Sequence, residues 1–116
     1  MSTAVTVDST KIQDSVGLVT LSGEVDIYTA PRLKERMLEL FDGGVKDMVV
    51  DLSGVTFIDS TALGVLIGGV RRVNDAGGIM ALVVATRPVE RILTVTGLDQ
   101  VFTIHHTRDE ALADLS

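Results

Sequence analysis

The chain has 116 residues, carries a net charge of −6 and is 46% apolar, which fits one compact domain with an aliphatic core. The negative charge disfavours direct binding to nucleic acids or anionic membranes, and the lack of cysteine excludes disulfides and thiolate chemistry. No secretory signal is visible and no apolar stretch approaches the ~20 residues of a membrane span, so we expect a soluble cytoplasmic domain.

The N-terminal part of the chain predicts two strands and a helix. Short apolar stretches at Val5–Val7 and Val16–Leu21 indicate strands, with the polar stretch Asp8–Asp14 as their connection. Thr29 offers an N-cap, and apolar residues follow at helical spacing until glycines at Gly43-Gly44 end the helix.

The middle of the chain predicts a second strand–helix unit and a further strand. Met48–Leu52 has the composition of an inner strand covered on both faces. A loop over Ser53–Asp59 then leads to a helix over Ser60–Asp75, which two glycines end. Ile79–Val84 is the most continuously apolar strand of the sequence.

The C-terminal part continues the alternation. A short helix ends near Gly97, a last strand covers Val101–Ile104, and Thr107 with Glu110 has capping-box spacing before a final helix. Alternating strands and helices indicate an α/β fold. We expect a mainly parallel mixed sheet with an antiparallel N-terminal strand, packed by about four helices in a single domain over residues 1–116.

Helical projection divides the predicted Ser60–Asp75 helix into two faces. The apolar stripe, expected to face the sheet, comprises Leu63, Leu66, Ile67, Val70 and Val73. A separate, outward stripe comprises Ser60, Gly64, Gly68, Arg71 and Asp75. Each outward glycine costs about 1 kcal/mol relative to alanine. Close approach by another protein chain would explain them, and so would a neighbouring loop of the same domain.

Ser60 adds chemistry to this outward stripe. A phosphate at a helix start meets free backbone amides and the positive end of the helix dipole. It would add about −1.5 to −2 charges beside Asp59 and repel a partner that touches the glycines. The alternative is that Asp59, Ser60 and Thr61 form only a helix cap.

Five stretches of the chain are informative when taken together: Gly23–Ala30, Val49–Val55, Phe57–Leu66, Gly97–Phe102 and Glu110–Leu112. They resemble the STAS domain of anti-sigma factor antagonists, in the family's order from about Val16 to Leu115. The resemblance implies the STAS fold and a partner-switching role without enzyme activity. The unphosphorylated antagonist binds an anti-sigma factor that is also a serine kinase, and thereby frees a sigma factor.

The resemblance also implies roles for single residues. The family phosphosite falls on Ser60, with Thr61 as second candidate, and the loop aspartate used at the kinase interface falls on Asp26. A metal-dependent serine phosphatase would restore the bare form, and the antagonist itself needs no cofactor or metal. We expect Asp26, Asp59, Thr61, Gly64, Gly68 and Arg71 to bind the partner; a homodimer is compatible with the sequence.

One position departs from the family pattern. Ala62 stands where the family usually has glycine, and the projection places it near the buried stripe. We therefore expect the added methyl group to affect packing inside the domain rather than contact with a partner. The acceptor hydroxyl of Ser60 is unaffected, although the departure puts the rate of its phosphorylation in question.

Other functions fit the residues less well. Asp51 at a strand end invites a phosphoaspartate site, but the acid cluster that would hold magnesium is not evident, so a structural acid is favoured. His105 and His106 are neighbours on a strand and point to opposite faces, which disfavours a shared metal. Ser60 lacks a nucleophile-elbow motif. An adaptor subunit of a lipid transporter or a stress-signalling scaffold would keep the fold without reversible phosphorylation.

Overall fold

The computed structural model describes residues 6–13 and 15–115, and Val5 and Asp14 of the predicted N-terminal elements lie outside them. Its strands are β1 Thr6–Gln13, β2 Val16–Val25, β3 Asp47–Ile58, β4 Met80–Val83 and β5 Thr103–His105. Its α-helices are α1 Ala30–Asp42, α2 Ser60–Asp75, α3 Arg87–Val95 and α4 Arg108–Asp114. The predicted α/β fold with about four helices is confirmed.

The strands form one mixed sheet in the order β1-β2-β3-β4-β5. β1 pairs with β2 in antiparallel orientation, and the other three pairings are parallel. The core on one face of the sheet includes buried residues of α1, α2 and α3, and a smaller cluster on the other face includes Ala111 of α4. Met48, Val49 and Val50 are fully buried, as expected for an inner strand covered on both faces.

The N-terminal hairpin corrects one prediction. The residues from Asp8 to Gln13 belong to β1, and they pair with β2 from Thr20 down to Val16. The polarity of this stretch led to the prediction of a connection. β1 is an edge strand, however, and most of its described side chains other than Val7 face solvent, so polar residues are accommodated there.

β3 is longer than predicted, which corrects the loop over Ser53–Asp59. The strand continues through Ile58 and pairs with the end of β2, with register shifts between Thr20 and Ser22 and between Gly23 and Glu24. These irregularities bury Val55 and Ile58, three residues apart, instead of every second residue. The alternation that signals a strand is therefore lost in the sequence.

The last strand begins later than predicted, at Thr103. A 3-10 turn over Leu98–Gln100 precedes it, and the Leu98 carbonyl accepts hydrogen bonds from the amides of Val101 and Phe102. These two amides are thus used by the turn and are not part of the pairing with β4. Thr107 caps α4 by accepting a hydrogen bond from the Glu110 amide at 3.2 Å, as predicted.

Candidate partner-binding surface around Ser60

The candidate surface lies where two parallel strands end side by side. Val25 is the register partner of Ile58, and the Asp59 amide donates a 3.1 Å hydrogen bond to the Val25 carbonyl. The loop that follows β2 and the start of α2 therefore meet at one edge of the sheet. This arrangement brings the segment containing Asp26 and the segment containing Ser60 together, although these two residues are 34 positions apart in the sequence.

Asp59 caps α2 and leaves Ser60 as the first helical residue. The Asp59 Oδ1 atom accepts a hydrogen bond from the Ala62 amide at 3.0 Å, so its predicted capping role is confirmed. Ser60 is exposed, and its hydroxyl makes no hydrogen bond to any other residue in the described part of the chain. Because capping is done by Asp59, the Ser60 hydroxyl is not needed to hold the helix start.

Asp26 shapes the loop between β2 and α1. Its Oδ1 atom accepts hydrogen bonds from the amides of Tyr28 at 2.9 Å and Thr29 at 3.2 Å. Thr29 Oγ1 in turn accepts a 2.8 Å hydrogen bond from the Asp26 amide. Asp26 is half-buried, and the two bonds that its carboxylate accepts from these amides, both on Oδ1, hold the loop in position.

Three exposed apolar side chains lie at this edge and were not predicted as functional. Ile27 is 58% exposed, Tyr28 is 85% exposed, and Phe57 is 46% exposed. Large apolar side chains this open to solvent are typical of interaction surfaces when they cluster. Ile27 and Tyr28 stand out in the sequence as an apolar pair in the loop after β2, whereas Phe57 lies inside β3 and gives no such signal.

The outward glycines of α2 have no neighbour in the described part of the domain. A Cβ atom built on Gly64 or Gly68 meets nothing within 4 Å, and both residues are exposed. The alternative that these glycines admit a loop of the same domain is therefore wrong for the described residues. Gly69 differs, since a Cβ there would lie 2.0 Å from Met37 Cε.

The remaining predicted stripe residues divide between surface and core. Arg71 and Asp75 are exposed, as expected, and Ile67 is half-buried beside the core rather than within it. Ala62 is fully buried, so its methyl group does pack inside, as the projection indicated. Arg72, which was not among the predicted partner-binding residues, has its guanidinium 4.5 Å from the centre of the Phe41 ring.

Asp51 lies in β3, where its carboxylate is buried and paired with Arg108. It is 4% exposed and accepts hydrogen bonds on Oδ2 from Arg108 Nε at 3.0 Å and Nη2 at 2.8 Å. Burial alone would raise the pKa of Asp51, but hydrogen bonds from Ser53 and the Arg108 guanidinium outweigh burial and hold the pKa below its ordinary value. The favoured assignment of a structural acid is confirmed.

The Arg108–Asp51 pair makes a testable contribution to stability. Arg108→Met should lower the free energy of unfolding at neutral pH by about 2 kcal/mol, because a buried carboxylate loses its charged donor. Since the folded pKa of Asp51 is depressed, its contribution is present above the ordinary value of 3.8 and is lost as pH falls through the lower folded value. Urea unfolding at several pH values should show the difference shrinking towards acid; a difference independent of pH would contradict this assignment. Arg91→Met on α3 is the control.

The two histidines act separately. His105 Nε2 lies 3.3 Å from Asp114 Oδ2, whereas His106 Nδ1 lies 3.2 Å from the Val84 carbonyl oxygen. The two rings thus contact different elements and do not converge on one ion. Among the described helices, none is both long and apolar enough to cross a lipid bilayer.

Comparison with known proteins identifies the family. A sequence model of the STAS domain matches residues 9–111. The chain is 35% identical over 86 residues to a Bacillus subtilis protein named anti-sigma-B factor antagonist, covering 74% of this chain and 78% of that protein. A Mycobacterium paratuberculosis structure described as an anti-sigma factor antagonist superposes with a TM-score of 0.87 at 29% identity, covering 99% of this chain and 98% of that one. A putative anti-sigma factor antagonist from Thermotoga maritima gives a TM-score of 0.82 at 29% identity, covering 94% and 93% of the two chains. The chain therefore belongs to the STAS domain family and is similar to anti-sigma factor antagonists within it.

Proposed function

We propose that this chain is an anti-sigma factor antagonist switched by phosphorylation of Ser60. In its bare form it binds an anti-sigma factor that is also a serine kinase, and so frees a sigma factor. The kinase transfers the γ-phosphoryl group of ATP to Ser60 Oγ, releases ADP and ends the complex. A metal-dependent serine phosphatase hydrolyses the phosphate ester and restores the bare form.

One observation carries the proposal. Ser60 presents an exposed hydroxyl, without a hydrogen bond to the described residues, one helical turn from Gly64, whose surface is open. Ser60 and Gly64 are four residues apart, so they lie on the same side of α2, about 6 Å apart along its axis. A phosphate on Ser60 therefore stands beside the surface that a docked partner would cover.

The other residues have roles that fit this switch. Asp59 keeps the helix start in place whether or not Ser60 is modified, because its cap uses the Ala62 amide. Asp26 holds the adjoining loop in place and contacts a cation or a backbone group of the kinase. Gly64 and Gly68 permit close docking, Thr61 follows Ser60 in the first turn of α2, and Arg71 contributes at the rim. Magnesium and ATP belong to the kinase.

Incubation with the partner kinase and ATP tests the proposal. Mass spectrometry should locate one phosphate on Ser60, and Ser60→Ala should lower phosphate incorporation at least about 100-fold because the acceptor oxygen is gone. Thr94→Ala on α3 removes an exposed hydroxyl away from this surface and is the control; it should keep incorporation within about threefold, since it leaves the Ser60 acceptor in place. Undiminished incorporation in Ser60→Ala would contradict the proposal, and transfer of that signal to Thr61 would identify the second candidate as the phosphosite.

A further inference from the structure

An open groove runs between α1 and α2 next to the Ser60 surface. Its volume is about 350 Å³, and Thr61, the residue after Ser60, lines one end. Gly64 and Gly68 form part of its floor, and because a Cβ at either would meet nothing, a bound group can approach the backbone of α2. The groove is thus continuous with the surface that phosphorylation would alter.

The walls of the groove are apolar. Leu38 of α1 is 38% exposed and lines it together with Phe41 and Val65, both partly buried. Leu38 is not part of the main hydrophobic core, unlike Met37 beside it. An exposed leucine facing two glycines across a groove leaves apolar surface in water, and a partner's apolar side chain would remove it.

The charge at the groove is opposite to that of the chain. The protein has a net charge of −6, yet the charged residues that line the groove are Lys34 and Arg72. Within residues 6–13 and 15–115, neither of them takes part in an ion pair. A partner segment with acidic side chains beside its apolar residue would complement these two cations.

We propose that the anti-sigma kinase inserts an apolar side chain, flanked by acidic residues, into this α1–α2 groove. This inference rests on the proposed function and names the partner chemistry for its docking surface. It also explains how a phosphate on Ser60 would weaken partner contacts in the neighbouring groove as well as at Ser60 itself. The dianion stands at the Thr61 end of the groove, where it faces the acidic flank of the inserted segment and repels it.

Binding of the purified kinase that phosphorylates Ser60 tests the groove. Leu38→Glu should weaken binding at least about 10-fold, because it replaces an apolar wall with a like charge for the inserted segment. Val95→Glu is the matched control, since Val95 is an exposed apolar residue on α3, away from the groove. It should bind like the wild type. Lys34→Glu should also weaken binding and reduce its dependence on salt.

The outcomes separate this inference from the proposed function. If the wild type binds the kinase and Ser60 phosphate prevents binding, but Leu38→Glu and Lys34→Glu bind normally, the groove inference is wrong and the switch stands. If no kinase binds the wild type, both are wrong. Thermal unfolding of each variant establishes that folding is retained, and Leu38→Ala provides a second variant without added charge that should weaken binding by about fivefold or more.

Discussion

Phosphorylation of Ser60 is expected to weaken binding of the anti-sigma kinase by at least about 100-fold, or about 2.7 kcal/mol. About −1.5 to −2 charges would arrive on an exposed hydroxyl next to Asp59 and within one helical turn of Gly64. Like charges brought together across an interface cost several kcal/mol, and the added bulk occupies surface that a partner would cover.

Calorimetric titration of the kinase with bare and phosphorylated protein measures this effect. Ser60→Ala should bind like the bare chain, because the hydroxyl makes no hydrogen bond within the described residues. Ser60→Asp should fall between the two, since a carboxylate carries less charge than a phosphate. The fold should remain unchanged, because the cap of α2 uses Asp59. A phosphorylated chain that binds as tightly as the bare one would rule out the switch.

The second large effect concerns the two outward glycines of α2, where alanine should stabilise the fold but weaken kinase binding. Gly64→Ala and Gly68→Ala should each raise the free energy of unfolding, by up to about 1 kcal/mol, because alanine favours the helix and the new methyl group meets nothing. The same substitutions should weaken kinase binding by about 10-fold or more, because a methyl group then stands where the partner approaches the backbone.

Gly69→Ala supplies the contrast from the adjacent position. Its Cβ would lie 2.0 Å from Met37 Cε and 2.9 Å from Met80 Cε, so the core must shift and stability should fall by about 1–3 kcal/mol. Gly69→Ala is a contrast for stability only, because Gly69 also lines the α1–α2 groove. Urea unfolding and titration of the three variants measure both quantities. If Gly64→Ala and Gly68→Ala left affinity unchanged, the outward stripe would not be the docking surface.

Much of the candidate site could be predicted from the sequence because α2 has a strong helical period. Its bounds, Ser60 to Asp75, were predicted correctly, and the stripe with Gly64 and Gly68 does face outward. The period of an amphipathic helix is set by its own geometry, so it survives in the sequence whatever the tertiary context.

The features that were missed depend on contacts between distant parts of the chain. The end of β3 follows irregular pairing with β2, which hides its alternation. The pairing of Arg108 with Asp51 joins residues 57 positions apart. The groove exists because α1 and α2 lie side by side, and its Leu38 wall lies outside the buried stripe of α1, which comprises Ala30, Leu33, Met37 and Leu40. Sequence periodicity identifies faces, but it does not identify which two faces meet.

The location of the docking surface can be measured by amide hydrogen exchange of the chain with and without the kinase. We expect the bare protein to gain protection in residues 26–29 and along the exposed side of α2, and the phosphorylated protein to gain none. Protection confined to α3 or α4, or equal protection of both forms on α2, would contradict the claim that Ser60 controls access to this surface.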